Sequence, residues 1–382
     1  MPLPPLVDPA AELTPAEITR YSRHLVIPGF GADAQKRLKN ARVLVVGAGG
    51  LGSPALIYLG AAGVGTLGVV EFDVVEESNL GRQIIHGTSD VGRSKAASAR
   101  DSLAELNPLV DVRLHETRLD TGNAIALFEQ YDLILDGTDN FATRYLVNDA
   151  AALAGKPYVW GSIHRFEGQA SVFWANAPDG RGLTYRDLYP EPPAPGLVPS
   201  CAEGGVLGIV CGAIASVMGT EAIKLITGIG ETLLGRLLIY DALTMSHRTI
   251  GIRRDPAAPE ITGLVDYPQL CGDAGDPDAG VTPQQLRDLL EAGADIVLID
   301  VREPAEWEIN RIDGARLIPA ATIGTGLAGL PRDVIPVLYC KTGARSAAAL
   351  AAVRAAGFAD ATHLRGGIIA WARHCDPDMA TY

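Results

Sequence analysis

The chain has 382 residues, 47% of them hydrophobic and 20% charged, and a formal net charge of −13, which is enough apolar material for two or three independent cores. The acidic balance excludes nucleic acid and anionic membrane surfaces as primary partners, because both select clustered Lys and Arg. Five cysteines without regular spacing argue against a disulfide framework, and Met1 to Glu12 has Pro and Asp where a signal peptide needs a basic then an apolar run, so the expected compartment is the reducing cytoplasm.

Residues 1–12 read as a flexible N-terminus. Thr14-Pro15-Ala16-Glu17 is a helix start: Thr14 can cap, Pro15 fits the first helical position and Glu17 can reach back. Beyond Lys39-Asn40, apolar runs at Val43–Val46, Leu67–Phe72, Val110–Leu114 and Leu133–Asp136 predict strands, and Ser94–Leu106 predicts a helix. This β-α-β rhythm predicts an α/β domain over residues 13–254, built on a doubly wound, mostly parallel sheet. Pro190 to Pro199, rich in Pro and Gly, predicts a long crossing loop, with Cys201 just past it. The apolar stretch Gly204 to Met218 breaks at Thr220 and Glu221, falls short of the roughly 20 residues a membrane span needs, and reads as buried. A helix over Cys211–Thr227 and a terminal strand pair, Leu237–Tyr240 with His247–Ile252, complete the domain.

Residues 255–280, rich in Pro, Asp, Gly and Ala, predict a flexible linker with a span of roughly 25 to 30 Å. A second, smaller α/β domain then fills 281–382: helix Pro283–Ala292, strands Ile296–Asp300 and Pro336–Tyr339, helix Ala344–Ala355, strand Thr362–Leu364 and helix Gly367–Arg373.

Gly47-x-Gly49-x-x-Gly52 follows a predicted strand and opens a helix, the context in which glycines allow a tight turn and backbone N–H groups meet phosphate. Glu71 closes the next strand, where a carboxylate can accept from ribose hydroxyls. A nicotinamide-dependent oxidoreductase fits these residues equally well. Arg82 and Lys95 separate the readings, because two cations beside a phosphate turn suit a triphosphate that loses pyrophosphate. Asp139, past the Leu133–Asp136 strand, can hold magnesium through hard oxygen ligation.

In the second domain, Cys340-Lys341-Thr342-Gly343-Ala344-Arg345 places a thiol where a strand turns into a helix. Backbone N–H groups, Lys341 and Arg345 would all stabilise a sulfur anion there. Four residues separate Cys340 from Arg345, one fewer than in Cys-dependent phosphatases, so the smaller loop favours a persulfide.

Gly47–Gly52, Ser78-Asn79-Leu80-Gly81-Arg82, Lys95 and Thr138-Asp139-Asn140 resemble the motifs of the MoeB, ThiF and ubiquitin-activating enzyme superfamily. Asp300-Val301-Arg302-Glu303, the Cys340 loop and Gly366-Gly367 resemble rhodanese signatures. Together the domains are similar to adenylyltransferase-sulfurtransferases in which a MoeB/ThiF-type domain is fused to a rhodanese domain. The resemblance implies ATP- and Mg2+-dependent adenylation of the Gly-Gly C-terminus of a ubiquitin-like sulfur carrier protein, then sulfur transfer from a Cys340 persulfide to give a thiocarboxylate, in molybdenum cofactor or cysteine biosynthesis. Thiosulfate or a cysteine desulfurase persulfide would be the sulfur donor. By position, Gly47, Gly49, Gly50, Gly52, Glu71, Ser78, Asn79, Arg82, Lys95, Asp139 and Asn140 would form the nucleotide site. Arg23 resembles an arginine that relatives reach across a homodimer interface. Cys201 aligns with a cysteine proposed to form acyl or disulfide intermediates. Many relatives bind structural zinc with two Cys-x-x-Cys pairs, but the corresponding places read Thr184–Asp187 and Ala258–Ile261, so no zinc is expected. Adenylation alone, with the rhodanese domain recruiting partners, is the alternative.

Overall fold

The computed structural model describes residues 2–193, 205–267 and 280–382, in two compact units, the first of which ends at Tyr267. Cys201 lies outside the described residues.

The first unit is built on an eight-stranded sheet in the order β3-β2-β1-β4-β5-β6-β7-β8. Strands β1 (Arg42–Val46), β2 (Thr66–Val70), β3 (Asp111–His115), β4 (Leu133–Asp136) and β5 (Tyr158–His164) run parallel. The hairpin of β5 with β6 (Glu167–Phe173), then β7 (Arg236–Asp241) and β8 (Ser246–Gly251), extends the sheet antiparallel. Central strands are covered on both faces, which is why β1 and β4 read as unbroken Val/Leu/Ile runs; Val43, Leu44, Val45, Leu133, Ile134 and Leu135 are fully buried. The chain reverses direction through the sheet between β1 and β4, and ligands bind at the carboxyl ends of strands at such a switch point.

Several elements differ from the sequence reading. The N-terminal residues, expected to be flexible, lie against the sheet unit: Leu3 and Val7 join its core, and the Leu6 N–H donates to the Leu225 carbonyl at 3.0 Å. Their apolar side chains gain more from burial than the short segment loses in chain entropy. The helix expected over Cys211–Thr227 starts three residues earlier, and one 20-residue helix runs from Gly208 to Thr227. Its length and apolarity would suit a membrane span, but Val210, Cys211, Ile214, Met218, Leu225 and Ile226 are fully buried in the sheet core. Glu221 is tolerated inside because its Oε2 accepts the Leu233 N–H at 2.7 Å and Lys224 pairs with its other oxygen. A buried carboxylate satisfied in this way does not interrupt the helix.

The linker expected from residue 255 starts later. Tyr267 is buried, and its hydroxyl donates to Asp149 Oδ2 at 2.8 Å, an oxygen that also takes Arg186 Nη2 at 2.7 Å. Burial and the Asp149 carboxylate both push the Tyr267 hydroxyl pKa up. Asp187 accepts the Asp255 N–H at 3.2 Å and caps Thr184. Segments 184–187 and 255–267 are therefore fastened to the unit by ion pairs and hydrogen bonds.

The second unit has a parallel four-stranded sheet in the order β10-β9-β11-β12: β9 (Ile296–Asp300), β10 (Arg316–Leu317), β11 (Ile335–Tyr339) and β12 (Thr362–His363). Its cores lie on the two faces, around Leu350 and Val353 on one and Leu286, Ile368 and Trp371 on the other.

Candidate functional site

In the first unit, the turns after β1 and β4 meet at the switch point: a Cβ on Gly47 would sit 3.5 Å from the Gly137 carbonyl oxygen. Between them opens a cavity of about 200 Å³. Its walls include Gly47, Gly49, Gly50, Glu71, Arg82, Lys95, Asp139 and Asn140, so eight of the expected nucleotide-site residues come together. Gly52, Ser78, Asn79 and Arg23 do not line it.

Each side chain has a local reason for its place. Gly52 lacks a Cβ because one would overlap the Gly47 carbonyl oxygen, so the helix Gly52–Ala62 can start directly against the turn. Gly50 approaches Cys211, whose Sγ would lie 3.0 Å from an added Cβ. Glu71 is nearly buried and holds the turn: its Oε2 accepts from the Ala48 N–H at 3.0 Å, and Oε1 from the Phe72 and Asp73 N–H groups at 2.9 and 3.0 Å. Of the roughly four lone-pair sites of a carboxylate, three are spent on backbone and one is left for a ligand. Lys95 opens its helix with Nζ 3.3 Å from Asp73 Oδ2, and Arg82 donates to the Ser78 carbonyl at 3.0 Å. Asn79 is buried and accepts from the Glu76 N–H at 3.1 Å, shaping the segment that carries Arg82. Asn140 caps the helix Phe141–Leu153 through the Thr143 N–H at 2.9 Å, leaving Asp139 exposed at the cavity edge. One exposed carboxylate beside a phosphate-sized space suits Mg2+, which keeps several waters and takes its remaining ligands from substrate phosphates.

Behind this wall, Asp136 is fully buried. Its Oδ1 accepts from the Thr138 N–H and hydroxyl at 3.0 and 2.6 Å, and burial pushes its carboxyl pKa up. His86 sits under the turn with Nδ1 2.8 Å from Ser98 Oγ, and burial pushes its pKa down, keeping the ring neutral beside Lys95. Sequence reasoning missed Arg144, Arg118 and Phe72, which also line the cavity. Arg144 is buried against the Thr138 carbonyl and the Trp160 ring. The Arg118 guanidinium lies 5.7 Å from the centroid of Phe72, an aromatic-cation pair open to solvent. Both follow strand ends, and that position was the one signal available.

In the second unit, Cys340 directly follows β11 and has no exposed surface. Its Sγ lies 3.1 Å from the Gly343 N–H and 3.7 Å from Ser346 Oγ. The helix Ala344–Ala355 begins at once, so its N-terminal dipole faces the sulfur. A Cβ on Gly367 would collide with the Cys340 and Lys341 carbonyl oxygens. That glycine lets the helix Gly367–Cys375 dock its own N–H groups on the loop, Ile368 donating to the Cys340 carbonyl at 2.9 Å. Arg345 is clasped by Glu306 through two hydrogen bonds of 2.7 Å. Burial alone would raise the Glu306 pKa, but the Arg345 contacts outweigh it and hold the carboxyl below its ordinary value. The signature pair Asp300 and Arg302 is fully buried and joined at 2.5 Å; the guanidinium also reaches Asn310. Arg302 thus organises the surroundings of the loop that carries Cys340, Lys341 and Arg345.

The ThiF family model matches residues 21–260 and the rhodanese-like domain model residues 282–374. Over its whole length the chain is 70% identical to a probable adenylyltransferase/sulfurtransferase MoeZ of Mycobacterium tuberculosis, covering 99% of it. It is 40% identical to the adenylyltransferase and sulfurtransferase MOCS3 of Drosophila ananassae, across 97% of this chain and 87% of that one. A sulfur carrier protein adenylyltransferase of Thermus thermophilus is 51% identical over 68% of this chain and 98% of its own length. Among solved structures, E. coli MccB superposes with a TM-score of 0.56 at 21% identity, over 66% of this chain and 74% of that one, a likeness of fold.

Proposed function

Because the chain belongs to the ThiF family and carries a rhodanese-like domain, we propose that it adenylates the C-terminal glycine of a ubiquitin-like sulfur carrier protein and then replaces a carboxylate oxygen with sulfur held on Cys340. The observation that carries this reading is the pairing, in one chain that matches adenylyltransferase/sulfurtransferases end to end, of a cationic switch-point cavity with a sulfur-holding cysteine loop.

The carrier carboxylate attacks the α-phosphorus of ATP, forming acyl-adenylate and releasing pyrophosphate. Lys95 and Arg82 face the phosphates from the cavity wall, where fixed positive charge stabilises the charge developing on transferred and leaving groups. Asp139 would hold Mg2+, which neutralises phosphate charge when bound. The outer sulfur of a Cys340 persulfide then attacks the acyl carbon and AMP leaves; a reductant or a second thiol, with Cys201 a candidate, cleaves the acyl disulfide to thiocarboxylate. The Phe72–Arg118 pair at the cavity mouth offers a stacking surface for adenine. Arg23 is exposed on the short helix Ser22–Leu25, as an arginine must be to serve a second copy of the chain. The compartment is the cytoplasm, and the products serve molybdenum cofactor or cysteine synthesis.

The carrier docks beside the cavity. Backbone hydrogen bonds join Arg165 to Leu207 and Phe166 to Ala242, gathering exposed Phe166, Leu207, Ile209, Leu243 and Met245 next to Ile163 and Val206 of the cavity wall, which the carrier tail must pass. Leu243→Asp is expected to raise the KM for carrier about tenfold with the KM for ATP unchanged, a split that steady-state pyrophosphate release would read.

The decisive experiment is mass spectrometry of a Gly-Gly-ended carrier incubated with the protein, Mg-ATP and thiosulfate. Replacement of oxygen by sulfur adds about 16 Da, and that gain should vanish in Cys340→Ala while adenylate still forms. Adenylate without sulfur gain in the wild type would reduce the second unit to recruitment, and no adenylate with any carrier would sink the proposal.

A further inference from the structure

Both cations beside Cys340 converge on one side chain. The Nζ of Lys341 lies 4.6 Å from the centroid of the Tyr382 ring, on the electron-rich face that attracts an ammonium. The Tyr382 hydroxyl donates to Glu306 Oε1 at 2.7 Å, and Glu306 is the carboxylate that clasps Arg345. The same hydroxyl accepts from Arg302 Nη1 at 2.8 Å, and Arg302 is itself locked to Asp300 without exposed surface. The backbone leading to the ring is fastened too, with Asn310 Nδ2 donating to the Ala380 carbonyl at 2.5 Å. The position of the ring is therefore set by the buried Arg302 anchor.

We propose that Tyr382 is a positioning residue for sulfur loading: its ring holds Lys341 beside the Arg345 that Glu306 clasps, so that two positive charges stand where an anionic sulfur donor enters. This rests on the reading that Cys340 takes up sulfur. With thiosulfate as donor, the Cys340 thiolate forms an S–S bond to the sulfane sulfur while the sulfane–sulfonate bond breaks, and sulfite leaves with the electron pair. Donor and leaving group are both anions, so cations fixed beside the loop favour capture of the first and separation of the second. A lysine on a flexible four-carbon stem supplies such a charge at one place only if it is held, and the Tyr382 face helps hold it.

The test is steady-state thiosulfate:cyanide sulfur transfer by the full chain, with carrier-dependent ATP–pyrophosphate exchange as the control for folding. Tyr382→Ala is expected to raise the KM for thiosulfate about tenfold and to change kcat by less than about threefold. Tyr382→Phe, which keeps the ring, should stay within about threefold of the wild-type KM. The proposal is overturned if Tyr382→Ala leaves the KM within about twofold of wild type, or if Tyr382→Phe raises it as far as Ala does. Should Tyr382→Ala not fold, Tyr382→Leu fills a similar volume without the π face and is judged by the same limits. A wild-type chain that moves no sulfur from thiosulfate would instead sink the sulfur-transfer reading, and this inference with it.

Discussion

A methyl group at position 52 would occupy space already filled by the Gly47 carbonyl oxygen. Gly52→Ala must push the helix Gly52–Ala62 off the turn, at a cost of about 1–3 kcal/mol, and nucleotide binding measured by calorimetry should be lost even where the fold survives. Lys95→Met removes a charge without shifting backbone, and pyrophosphate exchange is expected to fall about 100- to 1,000-fold. In the other unit, the lowered Glu306 pKa sets a pH dependence. A carboxyl whose folded pKa lies below its unfolded one adds stability that is present above the unfolded value and lost as pH falls through the folded value. Thermal melts between neutral pH and pH 3 should therefore show a loss beginning near the ordinary value of 4.5 that Glu306→Gln lacks. The glycines, both loop cations, Lys95 and Asp139 were legible as residues because spacing within one loop is written in one stretch of chain. The hold of Glu71 on the turn, and the presence of Arg118 and Arg144, were not, because they depend on which strand ends the sheet places side by side.

At the scale of elements, hydrophobic pattern located most strands and helices to within a residue or two: Leu133–Asp136, Ile296–Asp300 and Ala344–Ala355 have the boundaries expected. The hairpin of β5 and β6 escaped notice because Gly161, Gly168 and polar Ser162 and Gln169 break its alternation. The helix Gly208–Thr227 was shortened at one end, to Cys211, and a sequence cannot show that Leu233 brings a backbone donor to the Glu221 carboxylate inside it. Glu221→Ala leaves the Leu233 N–H buried without its acceptor and should cost about 1–3 kcal/mol in denaturant titrations.

For the whole molecule, composition announced two units, yet the place where the first ends is set by Tyr267 and its bond to Asp149. A chain cut after Tyr267 is expected to keep ATP–pyrophosphate exchange. One cut after Arg254 should melt several degrees lower, since it removes buried Tyr267, the partner of Asp149. The second unit carries a different consequence. Cys340 Sγ has no surface open to water, and a sulfane sulfur is readily stripped by any small thiol that reaches it. On the proposed reading, a sulfur on Cys340 would be stored like cargo in a closed hold. Charging and discharge would each wait for the loop to open, so the lifetime of the loaded protein in glutathione would measure how seldom it opens without a partner.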